Sequence, residues 1–413
     1  MILYIDPGTG SMLFTILLGV LGTAFYFLRN AFVKLKFVFS GGKVKDTSDE
    51  KLPIVIFSDH KRYWNVFEPI CDEFEKRKQK VVFMTASEDD PGLDKKYEYI
   101  ESEFIGEGNK AFSRLNMLKA NIVLSTTPSL DVFQWKRSRD VDFYIHIPHA
   151  PNDITLYRMF GLDFYDAILL SGEYQGEQIR KLEEIRNLPK KEIEYVGIPF
   201  MDEMKKRLDG MKKDDKKSDE KTVLLAPSWG ESGILSKYGE KLIDALVDTG
   251  YNIVVRPHPQ SFTADKNLLD KLMKKYPDGD KFSWNRDNDN FEILNKSDIL
   301  ISDFSGVFFD YALVFDKPII YTDYQFVKDP YDCFWIDEEL WTFKTIRNIG
   351  KELTLENIDS IKELIDECVD SKEFEENRNI AREETWMHQG KGAKRTVEYV
   401  LKKYNEFILK MND

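Results

Sequence analysis

The sequence predicts an α/β protein: two doubly wound, parallel-sheet domains behind an N-terminal membrane helix. Three observations carry this. From Pro53 onward, short apolar runs rich in β-branched residues alternate with longer amphipathic stretches, the mark of βαβ units. A nearly all-charged stretch, KKRLDGMKKDDKKSDEK at residues 205–221, interrupts the alternation once, and it then restarts. Residues 12–28, MLFTILLGVLGTAFYFL, carry no charge at all.

That first run would span about 26 Å as a helix at about 1.5 Å per residue, close to a hydrocarbon core of about 30 Å. No Lys or Arg precedes it and no small-residue cleavage site follows cleanly, which argues against a signal peptide. A buried soluble helix and an interfacial helix are the other readings. Arg29, Lys34, Lys36, Lys43 and Lys45 follow the run, and Asp6 is the one charged side chain before it. The positive-inside rule then gives a single-pass cell-membrane protein whose body is cytoplasmic.

Next come strands at residues 54–57, 81–85, 122–125, 143–147 and 167–170, with helices at 64–78, 110–119 and 174–185. After the charged stretch, strands are expected at 223–225, 253–255, 299–301 and 318–321, and helices at 239–247, 267–275 and 307–315. The tail, 354–409, is helical by period with a break near Gly390 and Gly392. The expected units are an anchor with its basic stretch (1–45), a first domain (46–205), a linker (206–221), a second domain (222–385) and a C-terminal helix (386–413). A cleft between two such domains is a preferred place for a ligand.

Composition narrows the function. The 413 residues are 42% hydrophobic and 13% aromatic, so real cores can form. A formal charge of −13 argues against nucleic-acid binding, which needs basic surface. Cys71, Cys333 and Cys368 form no CxxC and no metal-type spacing. No P-loop, GxGxxG, HExxH or Gx[ST]xG set is present.

Four strand-end segments hold the candidate chemistry. In ILISDFSGVFFDY (299–311), Ser302, Asp303, Ser305 and Gly306 lie between a buried strand and a helix start. Open N–H groups and hydroxyls there suit a diphosphate, although Ser and Asp are also ordinary helix caps. In IVVRPHPQS (253–261), Pro257 and Pro259 fix where Arg256 and His258 point. Arg suits a phosphate fork and His can move a proton. In FYIHIPHAPND (143–153), His146 shares a strand face with Tyr144 and reads as core, whereas His149 lies beyond the strand end, where α/β sheets bind ligands. In LLAPSWG (224–230), Ser228 and backbone donors could meet phosphate, and Trp229 either lines a base pocket or packs in the core. No ligand cluster demands a metal, and a divalent cation stays open, with Asp303 or Asp310 a weak candidate.

These segments together resemble the CDP-glycerol glycerophosphotransferases, the teichoic acid primases and polymerases. The corresponding stretches are PHAP (148–151), SGEY (171–174), GIP (197–199), APSW (226–229), RPHP (256–259) and SDFSGVFFD (302–310). The resemblance covers roughly residues 54–385. It implies a GT-B-like fold, with the donor nucleotide held mainly by the second domain and a polyol-phosphate or lipid-linked acceptor by the first. It also implies a reaction in which an acceptor hydroxyl attacks the glycerol-side phosphorus of CDP-glycerol and CMP leaves, in teichoic-acid-like or other cell-surface polymer synthesis. His149 is then the general base, with His60 the next candidate, and His258 is the second catalytic histidine. Arg256, His258 and the Ser302/Ser305 helix end would hold the diphosphate. The first loop is PHAP rather than WHGTP, Gly306 replaces a second Ser, and Phe200 and Met201 stand where the family often has Arg and Asn. CDP-ribitol or another CDP-polyol therefore remains open as donor. The alternatives are another GT-B enzyme using a UDP-sugar, a glycosyltransferase or epimerase, and an inactive membrane-tethered binding protein.

Overall fold

The computed structural model describes residues 51–211, 220–287, 289–303, 306–322 and 326–412. The expected membrane helix at 12–28 lies outside these residues, as do Ser305 and residues 212–219 of the charged linker. Among the described residues, no helix is long and apolar enough to cross a membrane.

Strands β1 (Leu52–Ser58), β2 (Val81–Thr85), β3 (Ile100–Phe104), β4 (Ala120–Ser125), β5 (Val141–His146), β6 (Ala167–Leu170) and β7 (Glu192–Tyr195) form the first sheet. It is parallel throughout, in the order β3-β2-β1-β4-β5-β6-β7. The second sheet, also parallel, contains β8 (Thr222–Ala226), β9 (Asn252–Val255), β10 (Phe282–Trp284), β11 (Ile299–Ser302), β12 (Ile319–Thr322) and β13 (Gly350–Leu353), in the order β10-β9-β8-β11-β12-β13. Helices cover both faces, so the central strands are apolar along their whole length: Ile54, Val55, Ile56 and Phe57 are fully buried, as are Ile299, Leu300 and Ile301.

Each chain path starts in mid-sheet, runs to one edge and returns to build the other. The reversal falls between β1 and β4 in the first sheet and between β8 and β11 in the second. At such a switch point the loops after two neighbouring strands diverge and leave a crevice at the strands' carboxyl ends.

Helices α1 (Trp64–Lys76), α2 (Glu173–Arg186) and α3 (Pro199–Gly210) belong to the first half, and α4 (Ile234–Asp248) follows β8. The charged stretch expected as linker from 206 begins as the end of α3. Its apolar first turn, Pro199, Phe200 and Met201, is buried and anchors the helix, while Lys205–Asp209 and Lys206–Glu203 pair along its exposed side. The helix expected at 307–315 is a short α turn, Val307–Phe309, that widens into a π-helix over Asp310–Val314.

The tail forms α5 (Trp341–Ile349) and α6 (Lys372–Thr385), then crosses back to the first domain as α7 (Gly392–Asn412). Val397, Tyr399 and Val400 of α7 complete the core over the first sheet with Ile54, Phe67 and Ile122.

Candidate active site

Every segment singled out in the sequence leaves the carboxyl end of a strand. His149 follows β5, Ser228 and Trp229 follow β8, Arg256 and His258 follow β9, and Asp303 and Gly306 follow β11. The β8 and β11 loops flank the switch point of the second sheet. The corresponding loops of the first sheet, after β1 and β4, carry His60–Tyr63 and Thr126.

His149 lies in the loop after β5 of the first domain. Its Nδ1 lies 3.4 Å from the Thr126 hydroxyl, and its ring is 4.8 Å from that of Tyr63. Burial, and then the nearby Arg62 guanidinium, lower its pKa to about 4, so the ring is neutral at pH 7. Behind it, His146 is fully buried, with Nε2 3.1 Å from the Tyr157 hydroxyl and its ring against Tyr157 and Tyr165, the core role expected of it. His60 serves locally, its Nδ1 accepting the Arg62 N–H at 3.1 Å to cap a single 3-10 turn, Lys61–Tyr63.

Across the cleft, His258 is exposed. Its pKa is lowered by partial burial and then by the same Arg62 guanidinium, with Asp303 opposing. One cation of the first domain is therefore within electrostatic reach of both candidate catalytic histidines, one from each domain. Arg256, half-buried beside this loop, donates from Nη1 to Asn285 Oδ1.

Two residues assigned to the phosphate act on the protein itself. Ser302 is fully buried, and its hydroxyl donates to the Ala226 carbonyl at 2.5 Å, tying β11 to β8. Asp303, 3% exposed, accepts the Ser228 N–H at both oxygens (2.9 Å) and the Ile234 N–H at 2.8 Å. It thus holds the β8 loop and the start of α4 in place, and its charge lies at a helix N-terminus, where it is favoured. Trp229 is half exposed at the cleft, away from the core. Gly306 is exposed and opens the short turn at Val307. Among the described residues, no group of three His, Cys, Asp or Glu side chains has metal-site geometry.

The two remaining motifs shape the joint between domains. Gly197, at φ +89°, opens α3, and a Cβ there would lie 2.2 Å from the Met387 carbonyl oxygen. A Cβ on Gly172 would lie 2.3 Å from the Glu384 carbonyl oxygen. Only glycine lets the returning tail press this close. Asp202 fastens the tail, accepting from Trp386 Nε1 (2.8 Å) and from the N–H groups of Gly390 (2.7 Å) and Gly392 (2.8 Å).

The sequence profile of the CDP-Glycerol:Poly(glycerophosphate) glycerophosphotransferase family matches residues 161–402, more than half of the chain. The chain belongs to this family. A relative in the family's line of work, the teichoic acid poly(glycerol phosphate) polymerase of Bacillus spizizenii, is 25% identical over 194 residues, 44% of this chain and 45% of that protein. The match therefore spans less than half of the relative's length. Among solved structures, the wall teichoic acid polymerase TagF in a crystal soaked with CDPG matches with a TM-score of 0.57 at 18% identity, over 92% of this chain and 98% of that one. The UDP-GlcNAc 2-epimerase from Neisseria meningitidis bound to UDP-GlcNAc matches with a TM-score of 0.53 at 15% identity, over 86% of this chain and all of that one. These likenesses concern the fold: two α/β domains of the GT-B-like kind.

The site residues that the sequence reading passed over are Arg62, Tyr63 and Thr126. Their signal was positional. The first strand of a doubly wound sheet and the strand that follows the reversal always feed the switch-point crevice.

Proposed function

We propose that this chain moves a polyol phosphate from a CDP-polyol, CDP-glycerol by family, to an acceptor hydroxyl and releases CMP, in the synthesis of a teichoic-acid-like surface polymer. The observation that carries the proposal is the neutral His149 beyond the carboxyl end of β5, with the Arg62 guanidinium close enough to lower the pKa of both His149 and the second domain's His258. The acceptor O–H gives its proton to the His149 imidazole as its oxygen bonds to the distal phosphorus. The P–O bond to the bridging oxygen breaks, and CMP leaves with that oxygen. The ring is unprotonated before the donor arrives. An incoming diphosphate offsets the Arg62 charge, the smaller of the two causes, and so moves the imidazole pKa upward, the direction an effective base requires. Arg256, His258 and the backbone at Gly306 are the groups we assign to the diphosphate, where electrostatic positioning carries most of phosphoryl transfer. The uncharged run at 12–28 would hold this body at the membrane, near a lipid-linked or polymeric acceptor.

The test is nucleotide release from the purified full chain with CDP-glycerol, CDP-ribitol and UDP-GlcNAc, each with and without a glycerol-phosphate oligomer. CMP release from a CDP-polyol that depends on the oligomer supports the proposal. UMP or UDP release from UDP-GlcNAc, with none from the CDP-polyols, rejects it.

A further inference from the structure

Resting on that reading, we propose that Arg62 is the first domain's ligand for the phosphate being transferred, clamping it from the side opposite His258. Three hydrogen bonds fix the turn that carries it. His60 Nδ1 accepts the Arg62 N–H at 3.1 Å, the Ser58 hydroxyl donates to the His60 carbonyl at 3.0 Å, and the Lys61 N–H donates to Ser87 Oγ at 3.0 Å. The Arg62 guanidinium carbon lies 4.8 Å from the centre of the Tyr63 ring, and that ring lies 4.8 Å from the His149 ring. Guanidinium, phenol and imidazole thus run in series from the open cleft to the base. The adjacent Lys61 pairs with Asp89, whereas among the described residues the Arg62 guanidinium pairs with no carboxylate.

A surface arginine that only packs on an aromatic ring has no need of a switch-point loop or of a turn capped by a histidine. A cation there, reaching the histidines of both domains, is placed for a group that spans the cleft. The planar fork matches two non-bridging phosphate oxygens, which a lysine would meet only as a point charge. Because Arg62 belongs to the acceptor side and Arg256 to the donor side, the two would grip the diphosphate from opposite domains.

Arg62→Ala, Arg62→Lys and, as a control, Lys61→Ala are compared with the wild type in two assays on the full chain. These are CMP release from CDP-glycerol with oligomer, and binding of inorganic pyrophosphate by calorimetry, with thermal melts to confirm folding. Arg62→Ala is expected to lower CMP release at least about tenfold and to weaken pyrophosphate at least about tenfold, with Arg62→Lys recovering only part and Lys61→Ala unchanged in both. Unchanged pyrophosphate affinity in Arg62→Ala overturns the assignment, even if no CDP-polyol is turned over by the wild type and the functional proposal itself has failed. Weakened pyrophosphate with unchanged CMP release also overturns it, since the cation would then bind an anion outside the reaction. So does a wild type that binds no pyrophosphate.

Discussion

At the scale of single residues, the division between His149 and the second domain is open to direct test. His149→Ala should lower transfer by at least about 10²-fold, the usual worth of a general base, while CDP-glycerol binding measured by calorimetry stays close to wild type. Loss of donor binding in that variant would move His149 into the phosphate site. The histidine also predicts a pH response. Its folded pKa, about 4, lies below the ordinary value of 6.5. The unfolded chain therefore takes up a proton between these values that the folded chain refuses. The stability this contributes is complete above pH 6.5 and is lost as pH falls toward 4. His149→Ala should flatten that part of the stability profile, measured by urea unfolding at pH 7 and pH 4.5. The sequence made His149 legible because it lies past the strand end and past Pro148, where α/β sheets bind ligands. Ser302 misled because a serine at a strand end serves equally well to tie two strands, and only the Ala226 carbonyl at 2.5 Å decides between the roles.

At the scale of elements, the strands found by the apolar-run criterion are the interior ones. The four it missed, β3 (IESEF), β7 (EIEY), β10 (FSW) and β13 (GKEL), are the four sheet edges. An edge strand is covered on fewer sides, so it can be very short, as FSW is, or carry charge, as the other three do, and charge also blunts edge-to-edge pairing. The signal that reveals a central parallel strand is therefore absent there for a physical reason. The π-helix at Asp310–Val314 was likewise hidden, since its period was read as α. Burial pushes the Asp310 carboxyl up to about 7, so the stability linked to its neutral form is complete below about 3.8 and is lost as pH rises through about 7. Asp310→Asn should stabilise the protein at pH 8 relative to wild type, by on the order of 1–4 kcal/mol, with little effect at pH 4. An equal effect at both values would show that the carboxyl is ionised throughout. At the tail crossing, Gly197→Ala combines a left-handed backbone with a Cβ 2.2 Å from the Met387 oxygen. It should cost more than about 2 kcal/mol of unfolding free energy, and a melting temperature like that of the wild type would refute the close contact.

At the scale of the whole molecule, the domains are joined by groups that neither domain could satisfy alone. Asp153, from the loop after β5, accepts the Trp341 N–H (2.9 Å) and the Thr342 N–H (2.6 Å), capping the second domain's α5 from the first. Trp341 stacks on Tyr174 of α2 at 4.5 Å and on Phe309 at 5.2 Å, so the SGEY and SDFSGVFFD motifs meet through one indole. Arg186 at the end of α2 pairs with Asp332, their side chains 6% and 2% exposed, and Asp332 also accepts the Phe160 N–H at 2.8 Å. The cleft is thus built on a buried, hydrogen-bonded base, and its geometry belongs to the joint as much as to the loops above it. Arg186 also pairs with Asp163 of its own domain at 2.7 Å, so it neutralises two buried carboxylates. Removing one member of such a cluster strands buried charge, at a cost of about 3–5 kcal/mol, whereas neutralising the others as well removes much of that penalty. Arg186→Met should therefore destabilise strongly and split thermal unfolding into two steps as the domains uncouple, and Arg186→Met with Asp163→Asn and Asp332→Asn, which keeps acceptors for the Phe160 and Gly161 N–H groups, should recover part of the loss. CMP release should track the joint rather than the charge, being low in the single variant and partly restored in the triple. Calorimetric scans of the three proteins decide it: a single variant that still unfolds in one step near the wild-type temperature would mean that Arg186 and Asp332 do not couple the domains.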